Sequence, residues 1–379
     1  MAVVRSAVSD MPSPARVEWT GDEAEFRRLG IQTFIRSWLT FGVHYFWGRI
    51  AIRRKIWDSI RLDGVPLAYS GTGKEGLITF LIAMSLAAPV FVIGAALVAQ
   101  YLTMPADAGI PRSLSWRAQR LMLSLPLLFL FGSITYRRRT HILKRTWLGD
   151  HRFGQAGGAW NYAAVHFWTA FLVAPTLGWL APWRQTRLYR RMTNETTFGG
   201  RRFRAIGDRT DLRAFAKLWS TGIAIYIGAV AIAGLLCGDQ IVAAASQSSL
   251  APLRNATTLV TLAAILVGAW LVFMIPAKRY RARTLNAHVS SFQFGGTRLT
   301  LAMPPAAYAR LWFQNLILRI GTLGALSALA DARMARFVIT HLSVDGPTLP
   351  QSLATMGGPV VATPAHASAT VADHVPATA

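Results

Sequence analysis

A short phrase recurs five times along the 379 residues: a basic helical stretch, a two-residue turn of Gly or Asp, and an apolar residue three positions beyond the turn's second residue. The copies are Asp63-Gly64-Val65-Pro66-Leu67, Gly149-Asp150-His151-Arg152-Phe153, Gly199-Gly200-Arg201-Arg202-Phe203, Gly295-Gly296-Thr297-Arg298-Leu299 and Asp345-Gly346-Pro347-Thr348-Leu349. Such repetition points to duplication and constrains the whole fold. Asp-Gly and Gly-Gly supply the positive φ that tight hairpin turns require, and flanks such as Arg202-Phe203-Arg204-Ala205-Ile206 alternate as strands do. Hairpins this short are marginal alone. The five are therefore expected to share one small sheet or to pack on the basic helices.

Apolar runs separate the copies. Four of them, Leu77 to Leu102, Leu121 to Tyr136, Leu212 to Cys237 and Leu259 to Ala277, approach the roughly 20 residues needed to cross about 30 Å of hydrocarbon. The second is short unless it begins earlier, with Arg117 and Arg120 snorkelling to the interface. Pro89, Pro126 and Pro276 fall in or at the ends of these runs, where neighbouring helices can satisfy the freed carbonyls. Composition agrees with a membrane protein: mean hydropathy is +0.34, with 53% hydrophobic and only 15% charged residues.

Charge sets the topology. The formal net charge is +23, and the basic residues cluster at the ends of the apolar runs: Arg49 to Lys55, Arg137-Arg138-Arg139, Arg184 to Arg204, and Lys278 to Arg283. The connecting loops, 103–120 and 238–258, carry only Asp107, Arg112, Arg117, Arg120, Asp239 and Arg254. By the positive-inside rule the runs form two transmembrane hairpins with their loops outside, and both termini face the cytoplasm. The partner this implies is anionic lipid; nucleic acid is not expected. The lone Cys237 rules out an intrachain disulfide or thiolate cluster, and the N-terminus lacks the order of a cleavable signal.

A larger repeat contains the smaller one. Thr40-Phe41-Gly42, Thr176-Leu177-Gly178 and Thr322-Leu323-Gly324 each follow an aromatic or apolar stretch, and each glycine lies 22 residues before a turn glycine, Gly64, Gly200 or Gly346. Arg54, Arg190 and Arg336 all sit 12 residues past the Thr-x-Gly glycine, and Trp47 and Trp183 both sit 5 past it. Each unit reads as an apolar helix, a Thr-x-Gly break, a basic amphipathic helix and a turn. The apolar helices, about 26–41, 160–177 and 307–323, span, re-enter or lie at the interface. A single crossing by the second would put Arg184 to Arg204 outside, and Arg36 and Arg319 are tolerated at an interface but cost about 2.5–3.5 kcal/mol at a bilayer centre. Interfacial or re-entrant helices are therefore expected.

Two carboxylates stand at equivalent positions. Glu75, after Tyr69-Ser70-Gly71-Thr72-Gly73-Lys74, matches Asp211, after Ile206-Gly207-Asp208-Arg209-Thr210. They read either as helix-dipole partners clasping neighbouring arginines or as an ion or headgroup site in a duplicated transporter. The closely spaced glycines lack the spacing of a nucleotide P-loop. Arg53, Arg54, Arg190, Arg191 and Arg336 are candidate lipid-phosphate contacts, or partners of the sheet, beside Trp47, Trp57, Trp183 and Tyr189. The histidines show no metal-ligand spacing, no nucleophile elbow appears, and the runs hold no central charge of the kind used for proton coupling. No cofactor, metal or catalytic residue is expected.

The run Trp38-Leu39-Thr40-Phe41-Gly42-Val43-His44-Tyr45-Phe46-Trp47-Gly48-Arg49, continuing to Leu62-Asp63-Gly64 and Tyr69 to Glu75, resembles the YjgN-type bacterial inner-membrane family, a domain of unknown function. Thr176 to Arg184 and Phe198 to Phe203 resemble it equally, and the likeness covers about residues 25–347. The third unit departs: Leu329 stands at the tryptophan position and Leu353 at the position matching Gly71 and Gly207. The resemblance implies a multi-pass inner-membrane protein and supplies no substrate or catalytic residue.

The expected organisation is a flexible terminus (1–20), a first unit (21–76), a transmembrane hairpin (77–136), a second unit (137–211), a second hairpin (212–277), a third unit (278–350) and a disordered tail (351–379). The fold class is mainly α, with four spans, interfacial or re-entrant helices, and short cytoplasmic β-hairpins. Two functions are compatible: movement of a small solute or lipid-related anion, or a non-catalytic scaffold or envelope regulator binding anionic lipid.

Overall fold

Each apolar stretch folds as half of a helical pair, and each pair leaves from one β-strand and returns to the neighbouring one. The computed structural model describes residues 16–102, 110–207, 211–246 and 255–356. The first pair, α1 (Glu23–Leu39) and α2 (Tyr45–Asp58), joins β1 (Val17–Trp19) to β2 (Ile60–Leu62); β3 (Val65–Tyr69) then leads to α3 (Gly73–Leu102) and α4 (Ile110–Lys144), which return to β4 (Thr146–Leu148). Next, β5 (His151–Gln155), α5 (Ala159–Val173), α6 (Ala181–Asn194) and β6 (Thr196–Phe198) repeat the plan. After β7 (Arg201–Arg202) it recurs twice more, as β8 (Arg204–Ala205), α7 (Leu212–Ser246), α8 (Ala256–Val289) and β9 (Phe292–Phe294), then β10 (Thr297–Leu301), α9 (Pro305–Gly321), α10 (Ser327–Thr340) and β11 (Leu342–Asp345). The strands flanking every pair are antiparallel partners: Val17 opposite Leu62, Leu67 opposite Leu148, Phe153 opposite Phe198, Ala205 opposite Phe292 and Leu299 opposite Val344.

The strands form two antiparallel sheets, where one small shared sheet or packing on the basic helices was expected. Strands β1 to β7 lie side by side in chain order, and β8 to β11 form a second, four-stranded sheet. The chain changes sheets at Phe203. Its N–H bonds the Thr196 carbonyl at 2.9 Å, and its ring enters the core against Phe294 at 4.7 Å between centroids. Leu148, Phe198, Phe203, Phe294, Leu349 and Leu353 are buried together, with Leu62, Leu67 and Phe153 against them. Most of these are repeat positions, the residue just before each turn and the apolar residue after it. At about 1.5–3 kcal/mol for each large side chain fully buried, this cluster stabilises strands that would be marginal alone.

Four turn copies close hairpins, with positive φ at Gly64, Gly149, Gly199, Gly200 and Gly295. The fifth does not. After Gly346 (φ 101°) the chain enters helix α11 (Leu349–Thr355), because Pro347 lacks an N–H for a ladder and Thr348 and Gln351 form a reciprocal capping box. Helix α11 buries Leu349 and Leu353 in the common core, so the start of the stretch expected to be a disordered tail is ordered; likewise residues 17–19, within the expected flexible terminus, are strand β1. Residues 1–15 and 357–379 lie outside the described residues.

The structure is mainly helical. Among the described residues, two helices, Leu212–Ala243 and Ala256–Val289, are long and apolar enough to cross a membrane, and little of their surface is buried. Helix α7 kinks at Cys237 (φ −129°, ψ 19°), where its apolar run was expected to stop, and continues to Ser246. The other two expected spans lie within α3, of 30 residues, and α4, of 35. Of the two expected external loops, 103–109 and 247–254 lie outside the described residues, while the remainder is largely helix.

The Thr-x-Gly breaks make three elbows of one geometry. Phe41, Leu177 and Leu323 have φ of 48°, 49° and 50°, followed by Gly42, Gly178 and Gly324 at 88°, 91° and 90°. In each, the glycine N–H reaches back five residues, to the carbonyl of Ser37, Val173 or Arg319, in a Schellman closure. The threonine hydroxyl ends one helix and starts the next. Thr40 Oγ1 donates to the Arg36 carbonyl at 2.8 Å and accepts from His44 N–H at 2.9 Å; Thr176 joins Val173 to Leu180 and Thr322 joins Leu318 to Leu326 in the same way.

Candidate functional site

The two sequence-matched carboxylates sit at the base of the long helical pairs. Glu75, in the first turn of α3, contacts Arg145 Nη2 through Oε1 and His141 Nε2 through Oε2 (3.4 Å). Its neighbours come from α4 and the link to β4, so this ion pair ties the two ends of the α3–α4 pair together. Asp211 precedes α7, accepts from the Ala214 N–H at 2.9 Å and faces Arg283 of α8 at 3.9 Å. It is both an N-cap and a weak tie across the α7–α8 pair. Glu75 and Asp211 thus occupy corresponding places at the feet of separate pairs.

The named arginines differ in environment despite their shared register. Arg53 donates to the Tyr69 hydroxyl at 3.1 Å and lies over its ring, and Arg54 donates to the Gly71 carbonyl at 2.7 Å. Both therefore brace α2 against the end of β3. Arg336 faces Glu23 at 3.5 Å, beside Arg333 at 3.1 Å, joining α10 to the start of α1. Glu23 stands in the first turn of α1, where the helix dipole favours an acid. The six Thr-x-Gly and turn glycines, Gly42, Gly64, Gly178, Gly200, Gly324 and Gly346, all have positive φ.

Arg190 and Arg191 fall in a different setting, a groove of about 560 Å³ along α6. Its lining is Trp183, Thr186, Arg187, Arg190, Arg191, Asn194 and Glu195, with Arg202 reaching across from β7. Four guanidinium groups face one carboxylate, and that carboxylate is held by Arg191 (Nε to Oε1, 3.0 Å). Arg187 stacks on the Trp183 ring at 5.2 Å, and Asn194 accepts from the Ala205 N–H at 2.8 Å, tying the groove to the second sheet. The charged face of α6 lies away from the side that buries Leu188 and Thr193. Such a groove suits an anion with several acceptor oxygens.

One of the contacts that hold α6 is a stack outside the apolar runs. Tyr189 lies on His288, in the basic extension of α8, with ring centroids 4.2 Å apart and planes 11° from parallel. Burial pushes the Tyr189 hydroxyl up to about 12 and the His288 imidazole below its ordinary value. Among the described residues no three His, Cys, Asp or Glu side chains gather closely enough to hold a metal ion.

Sequence reasoning missed Arg187, Arg202 and Glu195 in the groove and His141 and Arg145 beside Glu75. Arg187 was signalled by its place one turn from Arg190 and Arg191. Arg145 lies 70 residues from Glu75, and only the pairing of β3 with β4 brings them together.

A family described as "Bacterial protein of unknown function (DUF898)" has a sequence model that matches residues 14–369. The chain belongs to the DUF898 family. This agrees with the resemblance carried by Trp38 to Glu75 and Thr176 to Phe203. No curated protein and no solved structure matches the chain. Within this DUF898 chain, geometry alone distinguishes the ion-paired carboxylates from the arginine groove.

Two outcomes are expected in detergent unfolding. Glu75→Gln should lower stability by about 1 kcal/mol, whereas Asp211→Asn should change it by less than about 0.5, since asparagine caps equally well and the Arg283 contact is long and solvated. A larger loss for Asp211→Asn would reverse the ranking of the two ties. His288 is buried with a lowered pKa, so the unfolded chain takes up a proton first as pH falls. Stability it contributes is fully present above the unfolded value of about 6.5 and drains away as pH falls from there through the lower folded value. Thermal midpoints measured between pH 8 and 5 should drop less for His288→Phe than for the native chain; equal drops would remove His288 from the account.

Proposed function

We propose that this DUF898-family chain is a four-span inner-membrane protein, with both termini in the cytoplasm, that acts as a non-catalytic scaffold by binding anionic phospholipid headgroups through its basic layer. The observation that carries this reading is the α6 groove, where Arg187, Arg190, Arg191 and Arg202 face a single, already paired carboxylate. Its neighbourhood supports it. The sheets and their arginines sit at the feet of the long apolar helices, the level at which a positively charged surface meets the negative potential of the cytoplasmic leaflet. The runs within α3 and α4 complete a four-span reading in which each long pair crosses and recrosses the bilayer.

The repeated elbows, turns and strand pairings are consistent with descent by duplication. Duplication also motivates the transport reading, in which Glu75 and Asp211 form an ion site. We favour the scaffold because Glu75 is engaged by Arg145 and His141, and Asp211 caps α7.

The test uses the full chain reconstituted in vesicles containing trace spin-labelled phosphatidylglycerol or phosphatidylcholine. The motionally restricted fraction should favour phosphatidylglycerol, and added salt should reduce the preference. Replacing Arg187, Arg190 and Arg202 with Gln should weaken it, by up to about fivefold per arginine at low salt if each contributes about 1 kcal/mol near the surface. An equal preference in the native and triply substituted chains would refute headgroup binding by the groove.

A further inference from the structure

The three elbows place their least expected residue at the apex. A Schellman closure usually puts glycine in the left-handed position, because only glycine adopts it without strain. Here that position holds Phe41, Leu177 and Leu323, with glycine one residue later. These side chains are 99%, 77% and 84% exposed. A bulky apolar residue held in a strained conformation and left this exposed, in three copies, adds little to packing. In water it would carry two penalties at once.

The surroundings extend the apolar surface. On α1, Ile31, Ile35 and Trp38 are exposed at helical spacing, and on α9 Ile317 and Ile320 are exposed about two turns and one turn before Leu323. Each elbow pair also adjoins a long apolar helix near its basic end. Phe46 packs on Phe80 of α3 at 5.2 Å, Trp219 of α7 donates to the Leu177 carbonyl at 3.1 Å, and Lys278 of α8 lies 4.1 Å from the Trp312 ring. Phe80 and Trp219 are each seven residues into their helices, about 10 Å along the axis from its start. That is where the basic flank gives way to the apolar run. The helices returning from the elbows carry the arginines, Arg49, Arg184 and Arg333 among them. Near the tips, Arg319 is neutralised by Asp331 at 2.5 Å, and Arg36 has a stem long enough to snorkel.

We propose that Phe41, Leu177 and Leu323 are three bilayer-inserting tips. Each short helical pair enters the leaflet facing the sheets, lodges its elbow in the upper acyl region and returns, as an amphipathic element does when its apolar face sinks below the headgroups. The occupant of these exposed faces is lipid, by continuity with the apolar surfaces of α3, α7 and α8. The inference rests on the proposed four-span reading, and it assigns a separate role to segments that reading leaves unused.

The test is depth-dependent quenching in the full chain carrying Cys237→Ala. Single cysteines at 41, 177 and 323 receive an NBD fluorophore, with Ile227→Cys as a mid-span reference and Asp150→Cys as an aqueous one. Relative to the Asp150 label, the elbow labels should be quenched about threefold more by acyl-chain nitroxide lipids and correspondingly less by iodide, as a depth of about 5–10 Å requires. Elbow labels that behave like the one at Asp150, with Ile227 deep in the acyl region, overturn the insertion and leave the spans intact. An Ile227 label open to iodide overturns the span reading and the insertion with it. Should a tip substitution impair assembly, labels at Trp38 and Ile320 test the same depth with the native tips in place.

Discussion

Hydrogen bonding between the two strands that flank each helical pair is the constraint on which the rest of the structure depends. Antiparallel neighbours such as β3 and β4, or β8 and β9, lie a single strand spacing apart, about 4.8 Å. Whatever the chain does between them must therefore start and finish at the same layer. A helix that left without a partner to bring the chain back would break the ladder. This is why the helices between strands come in pairs, the long pairs α3–α4 and α7–α8 alternating with the short, elbowed pairs. It also explains why every turn phrase falls at one end of the molecule.

The same layer concentrates charge. Because the strands are short, the base is held by the aromatic and aliphatic cluster around Phe198 and Phe294, by ties such as Glu75 to Arg145, and by Tyr189 stacking on His288. Surface-level ion pairs of this kind are each worth little, about 0–1 kcal/mol, so the buried cluster carries most of the stability. The α6 groove gathers Arg187, Arg190, Arg191 and Arg202 at this layer. The proposed partner, an anionic bilayer surface, would meet both the groove and the long apolar helices.

Much of this was legible in the sequence, for a physical reason: turn, cap and charge signals are carried by a few neighbouring residues. The Asp-Gly and Gly-Gly turns, the Thr-x-Gly breaks and the basic helices are local signals, and all of them mark real features. The fifth turn was misread as a hairpin because Asp345-Gly346 has hairpin chemistry, whereas Pro347 and the Thr348–Gln351 capping box decide for a helix. The division into two sheets at Phe203 was hidden, since an alternating stretch looks the same whether or not one residue leaves the ladder. The groove was half visible: Arg190 and Arg191 stood out, but Arg202 joins them only through the pairing of β6 with β7.

If every helical pair starts and ends at one layer and the long pairs cross the membrane, the turns and the tips of the long pairs must lie on opposite sides. Single cysteines in a Cys237→Ala background, probed with a membrane-impermeant maleimide in intact and in permeabilised cells, test this directly. Positions 109 and 248, beyond the described ends of the long pairs, should react in intact cells. Positions 64, 150, 201 and 296, at four of the turns, should react only after permeabilisation. Reaction at Arg201→Cys from outside would contradict the account, because the α5–α6 pair would then cross the membrane once and the strands it joins could not be neighbours in one sheet.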